Sequence, residues 1–292
     1  MKIVVTGREG QVVQSLQEKA SQRPNNQVIA LGRPELDLAK PETVRSALSA
    51  IKPDLVVSAA AYTAVDLAED EAELAFAVNA GGAQAVAEAA KACGAPVIHI
   101  STDYVFAGDA SKPYVETDST GPRSVYGRSK LEGERLVAQA NPKHIILRTA
   151  WVYSPFGKNF VKTMLKLAET RDGLSVVSDQ WGNPTSALDI ADAIIQIADQ
   201  LATTPDFSAY GVYHLAGTGD TNWSGFARAI FSESAKLGGL IATVTDIATA
   251  DYPTKAARPA NSRLSTAKFQ EVFNWSAPLW QSSLRDVVAR LV

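Results

Sequence analysis

Short runs of apolar, β-branched residues alternate in the first half of the chain with longer segments whose apolar residues have helical spacing. Each run is bounded by Gly, Pro, Asp or Asn and predicts a buried strand. Five strands are predicted in this way, at residues 3–6, 28–31, 55–58, 97–101 and 145–149. The alanine- and leucine-rich segments between them predict helices at residues 11–20, 41–51, 69–93 and 125–140. This alternation predicts an α/β fold with a doubly wound parallel sheet that helices cover on both faces.

After about residue 150 the alternation becomes less regular. The spacing there predicts helices at residues 159–170, 188–201 and 223–237, and strands at residues 174–177 and 212–215. We therefore predict two domains. Residues 1–150, joined by elements around residues 178–205, form the sheet domain. Residues 151–292 form a smaller, less regular α/β domain that supplies substrate contacts.

Composition and charge exclude several classes of function. The 292 residues are 46% hydrophobic, which is enough for a sizeable core, and 28 Lys+Arg against 31 Asp+Glu give a net charge of −3. A protein with this net charge has no overall electrostatic field that would attract nucleic acid or acidic membranes. Cys93 is the only cysteine and the three histidines lack metal-ligand spacing, so we expect no disulfide and no metal. The chain has neither a signal-like start nor a stretch of membrane-spanning length, so a cytoplasmic protein without nucleic-acid or membrane partners is expected.

A glycine-containing turn, GREGQVV at residues 7–13, links the first strand to the first helix. Backbone amides at a helix N-terminus can hold a pyrophosphate, so Gly7 and Gly10 point to a Rossmann-type dinucleotide-binding domain. Val13 stands where the usual pattern has a third glycine, which serves helix–strand packing. Arg33 follows the second strand where NAD-selective folds carry an acid, and it favours NADP(H) because a guanidinium can pair with a 2′-phosphate. An ordinary turn and a solvated arginine are the alternative interpretation.

Tyr126 and Lys130 are four residues apart at the start of a predicted helix, so they project from the same face. A nearby ammonium lowers the pKa of a phenol, which lets such a pair act in acid–base chemistry. Thr102 follows the strand at residues 97–101 and brings a hydroxyl to the ligand edge of the sheet. Each feature alone also fits a surface pair or a polar strand end, but their order on one fold makes the set specific.

The combined set resembles the extended short-chain dehydrogenase/reductase family. The resemblance runs through AAAYTAVD (59–66), STDYVF (101–106), VYGRSK (125–130), RTAWVY (148–153), DQWGNPT (179–185) and RPANSRL (258–264). These motifs are most similar to the branch that acts on dTDP-linked keto sugars. The resemblance implies that NADPH, with NADH as an alternative, reduces the C4 ketone of dTDP-4-dehydro-6-deoxy-L-mannose (dTDP-4-dehydrorhamnose) to give dTDP-L-rhamnose for cell-surface polysaccharides.

The same resemblance implies roles for individual residues. Tyr126 would protonate the new alkoxide, Lys130 would bind the nicotinamide ribose and lower the pKa of the tyrosine, and Thr102 would polarise the ketone. The other implied cofactor residues are Gly7, Gly10, Gln11, Val12, Asp37, Leu38, Ala61, Tyr62 and Thr63, beside Arg33. The other implied substrate residues are Val65, Asp103, Tyr104, Trp151, Arg258 and Asn261, with Arg263 a weaker candidate.

Two other functions stay open at this stage. A nucleotide-sugar epimerase or dehydratase would keep the Tyr/Lys pair with a tightly held NAD, although Tyr104 stands where a dehydratase has an acid. A non-catalytic, NADP-binding regulatory subunit of the methionine adenosyltransferase type is the second alternative, and it would not need the complete catalytic set. The resemblance also allows a homodimer. Some members pair through carboxylate-held magnesium, but here Leu188 stands near the expected acid.

Overall fold

Strands and helices alternate along the chain in a computed structural model that describes residues 1–23 and 25–292. The strands are β1 (Lys2–Thr6), β2 (Gln27–Leu31), β3 (Leu55–Ser58), β4 (Val97–Thr102), β5 (His144–Thr149), β6 (Val152–Tyr153), β7 (Gly173–Val177), β8 (Trp181–Gly182), β9 (Thr185–Ser186), β10 (Gly211–His214), β11 (Thr221–Asn222) and β12 (Thr243–Ile247). The helices are α1 (Gln11–Ser21), α2 (Pro41–Ile51), α3 (Ala72–Phe76), α4 (Ala83–Ala92), α5 (Val125–Ala140), α6 (Phe160–Leu167), α7 (Ala187–Thr203), α8 (Trp223–Lys236), α9 (Ala267–Phe273) and α10 (Trp280–Val288). The helix predicted over residues 69–93 is divided, because a π-helical turn at Ala77–Gly82 separates α3 from α4.

The main sheet has six strands in the order β10-β5-β4-β3-β1-β2, and every pairing in it is parallel. From β1 the chain first builds outward to β2 and then crosses to the other side of β1 to add β3, β4 and β5. The strand order therefore reverses at β1, and in such sheets ligands bind in the crevice at the carboxyl ends of the strands near this point. The predicted doubly wound fold is confirmed.

Both faces of the main sheet are buried. Helices α1 and α7 pack on one face around Leu16 and Ile194, and helices α2, α4 and α5 pack on the other around Leu48 and Val86. All four residues of β3 are buried, which explains why its sequence is a continuous apolar run and not an alternating one. The sheet is therefore a rigid support for the residues at its edge.

A third apolar core lies among α6, α8, α10 and β7, with Tyr153, Phe226 and Trp280 buried in it. Short pairings of β6 with β9, β8 with β11 and β7 with β12 complete this part of the molecule. Two late elements join the main sheet instead: α7 packs against its α1 face, and β10 pairs with β5. The division of the chain near residue 150 stays a prediction, and β10 lies in the sheet although its residues fall in the predicted second domain.

Within the described part of the chain, no helix is both long enough and apolar enough to cross a membrane.

Candidate active site

Thr102 is the last residue of β4 and lies at the carboxyl edge of the main sheet. Its Oγ1 accepts a hydrogen bond from the backbone N–H of Tyr104 at 3.2 Å and donates one to Oδ1 of Asp103 at 3.0 Å. These bonds cap the short 3₁₀ turn, Asp103–Val105, into which the strand runs. The hydroxyl is therefore buried and held in one orientation at the edge where ligands bind.

Helix α5 presents Tyr126 in its first turn and Lys130 one turn later. The helix begins after Ser124, whose Oγ accepts a hydrogen bond from the N–H of Gly127 at 3.1 Å. A Cβ at Gly127 would lie 2.3 Å from the carbonyl oxygen of Tyr104, so only glycine lets the helix come this close to the turn after β4. This close approach brings the phenol to the side chain of Thr102 and the ammonium to the backbone of β4.

Tyr126 is the predicted acid of the candidate site. Its ring meets that of Tyr104 edge to face at 5.5 Å. Burial raises the pKa of Tyr126 to about 12, the nearby carboxylate of Asp103 raises it further, and a hydrogen bond with the Thr102 side chain acts in the opposite direction. The phenol therefore carries its proton at neutral pH and is ready to donate it.

Lys130 lies buried between α5 and β4. Its Nζ donates a hydrogen bond to the carbonyl oxygen of Ile100 at 2.6 Å and lies 3.4 Å from Nε2 of His99. Burial lowers the pKa of Lys130 to about 8, and the negative charge of Glu134 partly offsets this effect. At neutral pH the ammonium is the main form, and it loses its proton as the pH rises through about 8.

A buried ion pair ties α5 to the neighbouring strands β4 and β5. Glu134 accepts hydrogen bonds from Nε and Nη2 of Arg148 at 2.9 and 2.7 Å, and from Oγ of Ser101 at 2.5 Å. Both charged side chains are almost fully buried, at 5% and 6% exposed. Breaking such a pair is costly because it leaves an uncompensated charge in the interior. This pair was not predicted from the sequence, although an arginine near the end of an otherwise apolar strand was its signal.

The glycine turn has the geometry that a pyrophosphate site needs. Gly7 has φ +106°, and a Cβ there would lie 3.2 Å from Cγ2 of Val13. Gly10 precedes α1 without a side-chain cap, so the first N–H groups of the helix, at Gln11 and Val12, have no capping side chain. Val13, in place of the third glycine, is buried and packs beneath Gly7. The turn therefore fits a bound dinucleotide.

The side chain of Gln11 is engaged elsewhere. Its Oε1 accepts hydrogen bonds from Oγ of Ser154 at 2.9 Å and Nδ2 of Asn159 at 3.1 Å, and its Nε2 donates to the carbonyl of Val152 at 3.3 Å. These bonds join the start of α1 to the loop after β6. Gln11 would therefore contact a pyrophosphate through its backbone N–H.

Two arginines lie at the turn after β2, where the adenosine end of a dinucleotide would bind. Arg33 is exposed there. Arg8, directly after Gly7, forms an ion pair with Glu35, and its Cγ would lie 3.0 Å from a Cβ at Gly32. A backbone hydrogen bond to the carboxyl group lowers the pKa of Glu35 below the usual range, and the guanidinium of Arg8 lowers it further. The sequence analysis missed Arg8 because only the fold brings the two turns together.

Asp37 and Leu38 follow this turn. Oδ1 of Asp37 accepts a hydrogen bond from the N–H of Ala39 at 3.0 Å and so shapes the loop. Leu38 is buried, and a Cβ at Gly82 would lie 2.6 Å from its carbonyl oxygen. The loop is therefore packed directly against the π-helical turn, and the predicted adenine contacts of both residues stay a prediction.

Residues 61–63 follow β3 and are held by Asn79 from the π-helical turn. Asn79 accepts a hydrogen bond from the N–H of Tyr62 at 2.8 Å, and its Nδ2 lies within bonding distance of the Tyr62 carbonyl at 3.0 Å and of Ser129 Oγ at 2.9 Å. The hydroxyl of Tyr62 donates to Glu71 at 2.7 Å. Asn79 thus connects the segment after β3 to α5, and the sequence analysis missed it inside an alanine-rich helix.

Asp103 and Tyr104 directly follow Thr102 and place polar groups beside the predicted catalytic residues. Oδ2 of Asp103 accepts a hydrogen bond from Oγ of Ser262 at 2.5 Å. Burial raises the pKa of Asp103 to about 6, although the hydrogen bonds from Ser262 and Thr102 act against this. Burial also raises the pKa of Tyr104. Val65 is half-buried in the segment after β3.

Trp151 has an unusual backbone and a stacked ring. It adopts φ +50°, which is rare for a bulky residue. Its indole stacks on that of Trp223 at 3.6 Å, and a Cβ at Gly182 would lie 2.5 Å from the same ring. The side chain of Trp151 is half-buried against the third core, which fixes the position of its ring. Its contact with the substrate stays a prediction.

Residues 253–263, named here the C-terminal strap, are fastened to the segments around residues 66–70 and 108–112. Nη2 of Arg258 donates to Oδ2 of Asp66 at 2.5 Å, and Lys255 forms an ion pair with Asp70. Burial alone would raise the pKa of Asp66, but hydrogen bonds from the Ala256 N–H and from Arg258 hold it below the usual range. The strap therefore brings Arg258 to the segment after β3.

Asn261 fastens the strap to the segment around residues 108–112. Its Nδ2 donates to the carbonyls of Ala110 and Lys112 at 2.9 and 2.8 Å, and its Oδ1 accepts from Nε of Arg263 at 2.8 Å. Arg263 also pairs with Asp220 at 3.3 Å. Both side chains are therefore engaged in hydrogen bonds and an ion pair within the protein. Their substrate contacts stay predictions. In residues 1–23 and 25–292, no group of three His, Cys, Asp or Glu side chains is placed to hold a metal.

Known proteins match this chain over its full length, both in sequence and in structure. The chain is 52% identical over 292 residues to a dTDP-4-dehydrorhamnose reductase of Sinorhizobium fredii, which covers 100% of this chain and 98% of the relative. A crystal structure of a dTDP-4-dehydrorhamnose reductase from Clostridium acetobutylicum has a TM-score of 0.92 and 38% identity, covering 100% of this chain and 99% of that one. The Bacillus anthracis enzyme of the same name, solved in complex with NADP, has a TM-score of 0.90 and 35% identity, covering 99% of this chain and 98% of that one.

The model of the RmlD substrate binding domain family matches residues 1–292. Both the sequence relatives and the solved structures carry the reductase name, so the resemblance that the sequence motifs indicated is confirmed. Because the family model covers the whole chain, this protein belongs to the RmlD substrate binding domain family.

Proposed function

We propose that this protein uses NADPH to reduce the C4 ketone of dTDP-4-dehydro-6-deoxy-L-mannose (dTDP-4-dehydrorhamnose) to dTDP-L-rhamnose. The observation that carries the proposal is the convergence of Thr102, Tyr126 and Lys130 at the carboxyl edge of the main sheet. The glycine turn after β1 opens at the same edge. The relatives that match the full chain carry the name of this activity, which supports the choice of reaction.

The residues of the turn fit the cofactor. Gly7, Gly10 and the N–H groups at the start of α1 would hold the pyrophosphate, since a helix N-terminus favours negative charge. Arg33 and Arg8 would lie near a 2′-phosphate, and two guanidinium groups there favour NADPH over NADH. When bound, the dinucleotide supplies the hydride that reaches C4.

The chain's own groups supply the proton and the electrostatic stabilisation. Tyr126, protonated at neutral pH, would donate its proton to the oxygen that becomes the C4 hydroxyl. Lys130 would place its positive charge beside the tyrosinate that results and would hold the nicotinamide ribose. Thr102 would hydrogen-bond the ketone oxygen, which requires its hydroxyl to turn from Asp103 toward the substrate.

The substrate would lie between the sheet edge and the strap. Asp103 and Tyr104 offer hydrogen-bonding groups to sugar hydroxyls, and the fixed ring of Trp151 offers an apolar face. Arg258 would bind the diphosphate, to which an arginine offers charge-assisted hydrogen bonds. In the structure the partner of Arg258 is Asp66, so diphosphate binding would exchange one anionic partner for another.

Two finer features belong to the same proposal. We place the reaction in the cytoplasm, in the biosynthesis of a cell-surface polysaccharide, because its substrate is a nucleotide-linked sugar. We also propose a homodimer, which sedimentation of the purified protein would test.

The test is NADPH oxidation, followed at the nicotinamide absorbance, with freshly generated dTDP-4-dehydro-6-deoxy-L-mannose. The expected result is one dTDP-L-rhamnose formed for each NADPH consumed, identified by NMR, with slower turnover on NADH and on a UDP-linked analogue. Binding of NADPH without oxidation would favour the regulatory-subunit alternative. Stoichiometric NAD that co-purifies with the protein, together with an epimerised product, would favour the epimerase alternative.

A further inference from the structure

A buried chain of three side chains leads from β3 to the predicted catalytic lysine. Oγ of Ser58, the last residue of β3, lies 3.1 Å from Nδ1 of His99, and Nε2 of the same ring lies 3.4 Å from Nζ of Lys130. The exposed fractions of Ser58, His99 and Lys130 are only 1%, 1% and 2%. The His99 ring therefore fills the space behind the ammonium and is shielded from water.

The chemistry of these groups fixes the protonation of the ring. An ammonium can only donate, so the nitrogen that faces Lys130 must accept, and a neutral imidazole has one accepting nitrogen. The proton then sits on Nδ1 and is donated to Oγ of Ser58. Burial, helped by the positive charge of Lys130, lowers the pKa of His99 well below its ordinary value, which agrees with a neutral ring.

Two of the three N–H groups of the Lys130 ammonium have acceptors within the protein. The ammonium has three N–H groups. One is donated to the carbonyl of Ile100 at 2.6 Å, and the Nε2 lone pair of His99 faces a second. One N–H is left for a ligand. The two protein acceptors thus determine the direction in which the third N–H points.

The other charged and titratable groups around Lys130 do not replace His99. Glu134 lies one turn further along α5, but its carboxylate is bonded to Arg148 and Ser101. Tyr126 lies one turn earlier on the same helix and is neutral. His99 is therefore the side chain from β4 that accepts a hydrogen bond from the ammonium and, as a neutral ring, neither adds nor cancels charge beside it.

We propose that His99, held as its Nδ1–H tautomer by Ser58, is a positioning residue that directs one N–H of Lys130 toward the nicotinamide ribose. The expected changes in kcat/KM rest on the proposed function. The tautomer of His99 and its contacts with Ser58 and Lys130 do not depend on it. A role in positioning differs from a packing role because it depends on which ring nitrogen can accept.

Two isosteric substitutions separate these roles. His99→Gln can place an amide oxygen near the position of Nε2, whereas His99→Asn places its amide near Nδ1 and removes the acceptor for Lys130. The Asn variant is expected to lose about tenfold in kcat/KM and in NADPH affinity, as is typical when a hydrogen bond to a charged group is removed. The Gln variant is expected to stay within about threefold of wild type. His144→Gln, at the opposite edge of the sheet, is the control and should change neither value.

The pH profile gives a second readout. An acceptor stabilises the charged form of Lys130, so its removal should move the alkaline limb of kcat/KM to lower pH in His99→Asn but not in His99→Gln. A residue that only fills space would give both variants the same pH profile.

A third readout requires neither sugar nor cofactor. ¹⁵N NMR of the protein without sugar or cofactor should show His99 with a protonated Nδ1 and a bare Nε2 from pH 6 to pH 7, where Lys130 is the ammonium. Ser58→Ala, which removes the acceptor for Nδ1–H, should shift the Nδ1 signal, while the ammonium of Lys130 keeps the proton on Nδ1. A proton on Nε2 in the wild-type protein, or equal losses in the Gln and Asn variants, would overturn the proposal. Absence of turnover with the keto sugar would instead count against the proposed function, since NADPH affinity and the tautomer are measured without it.

Discussion

The two sides of the candidate cleft are held by different kinds of interaction. On the sheet side, α5 and the end of β4 are fixed by buried hydrogen bonds, by the Glu134–Arg148 pair and by a helix–turn approach that only a glycine at 127 permits. On the other side, the C-terminal strap is fastened partly by ion pairs whose acids are exposed, with Asp66 at 46% and Asp70 at 56%. Buried networks are rigid and costly to break, whereas exposed ion pairs contribute little and exchange partners readily.

This difference matches the two tasks that the cleft would perform. Proton donation from Tyr126 needs a geometry that does not change during the reaction, and the sheet side provides it. Binding a nucleotide-linked sugar would need a side that can open, and in the proposed function Arg258 would leave Asp66 for a diphosphate at little cost in stability. We therefore expect substitutions on the sheet side to affect kcat and folding, and substitutions on the strap to affect KM.

The largest effect is expected at the acid. Tyr126→Phe keeps the ring but removes the proton, and kcat should fall by about 10²- to 10⁴-fold, as is typical for loss of general acid catalysis. NADPH affinity and the melting temperature should stay close to wild type. Tyr252→Phe, at a position 60% exposed, is the matched control. Retention of more than a tenth of the wild-type kcat by the Tyr126 variant would remove this residue from the mechanism.

The next effect concerns the close approach of α5. In Gly127→Ala the new Cβ would lie 2.3 Å from the carbonyl oxygen of Tyr104, so the helix must shift. We expect a loss of about 1–3 kcal/mol in the free energy of unfolding, measured by urea denaturation, and a lower kcat as Tyr126 moves. Gly81→Ala is the control, because a Cβ there meets nothing within 4 Å. Equal stability of the two variants would show that the close approach is not required.

The third prediction uses pH. Burial raises the pKa of Asp103 to about 6 in the folded protein, above its ordinary value. Between these two values the folded state binds more protons than the unfolded state, so this contribution to stability is present at low pH and is lost as the pH rises through about 6. Asp103→Asn should remove this pH dependence and gain at most about 3 kcal/mol above pH 6 relative to wild type.

Asp189 provides the comparison for that measurement. Burial also raises the pKa of Asp189 to about 6, and Ser283 bonds it, but it lies away from the predicted catalytic residues. Asp189→Asn should change stability between pH 4 and pH 7 in the same direction and leave turnover unchanged. The Asp103 variant should in addition lose turnover. A flat difference between wild type and Asp103→Asn over this range would refute the assigned pKa.

The smallest effect is expected at the ion pair that fastens the strap to Asp66. Asp66→Asn weakens an exposed ion pair, which is worth at most about 1 kcal/mol, so the melting temperature should hardly change. KM for the sugar nucleotide should change by less than about fivefold, while kcat is retained. Asp246→Asn, which weakens the similarly exposed pair with Arg228, is the control. A large loss of kcat in the Asp66 variant would show that the strap also positions the reacting groups.

Much of the fold could be predicted from local sequence. The β-branched runs at β1, β3 and β4 give buried strands because each is covered on both faces. The strand at residues 212–215 was predicted as a strand, but its membership of the main sheet was not. That placement depends on pairing with β5, more than sixty residues earlier in the chain, and no local pattern encodes it.

The sequence by itself predicted most strands and helices of residues 1–150, the glycine turn and the Thr102, Tyr126 and Lys130 set, because these depend on periodicity, backbone freedom and side-chain chemistry within short segments. It did not predict the later elements β6, β8, β9, β11, β12, α9 and α10. Only the tertiary structure decided the partners of those residues: Ser262 reaches Asp103 across 159 positions, and His99 reaches Lys130 across 31. Asn261, expected to contact substrate, is bonded to backbone carbonyls. The physical reason is that hydrogen bonds and ion pairs are selected by three-dimensional proximity and burial, and these exist only once the sheet and its helices have packed.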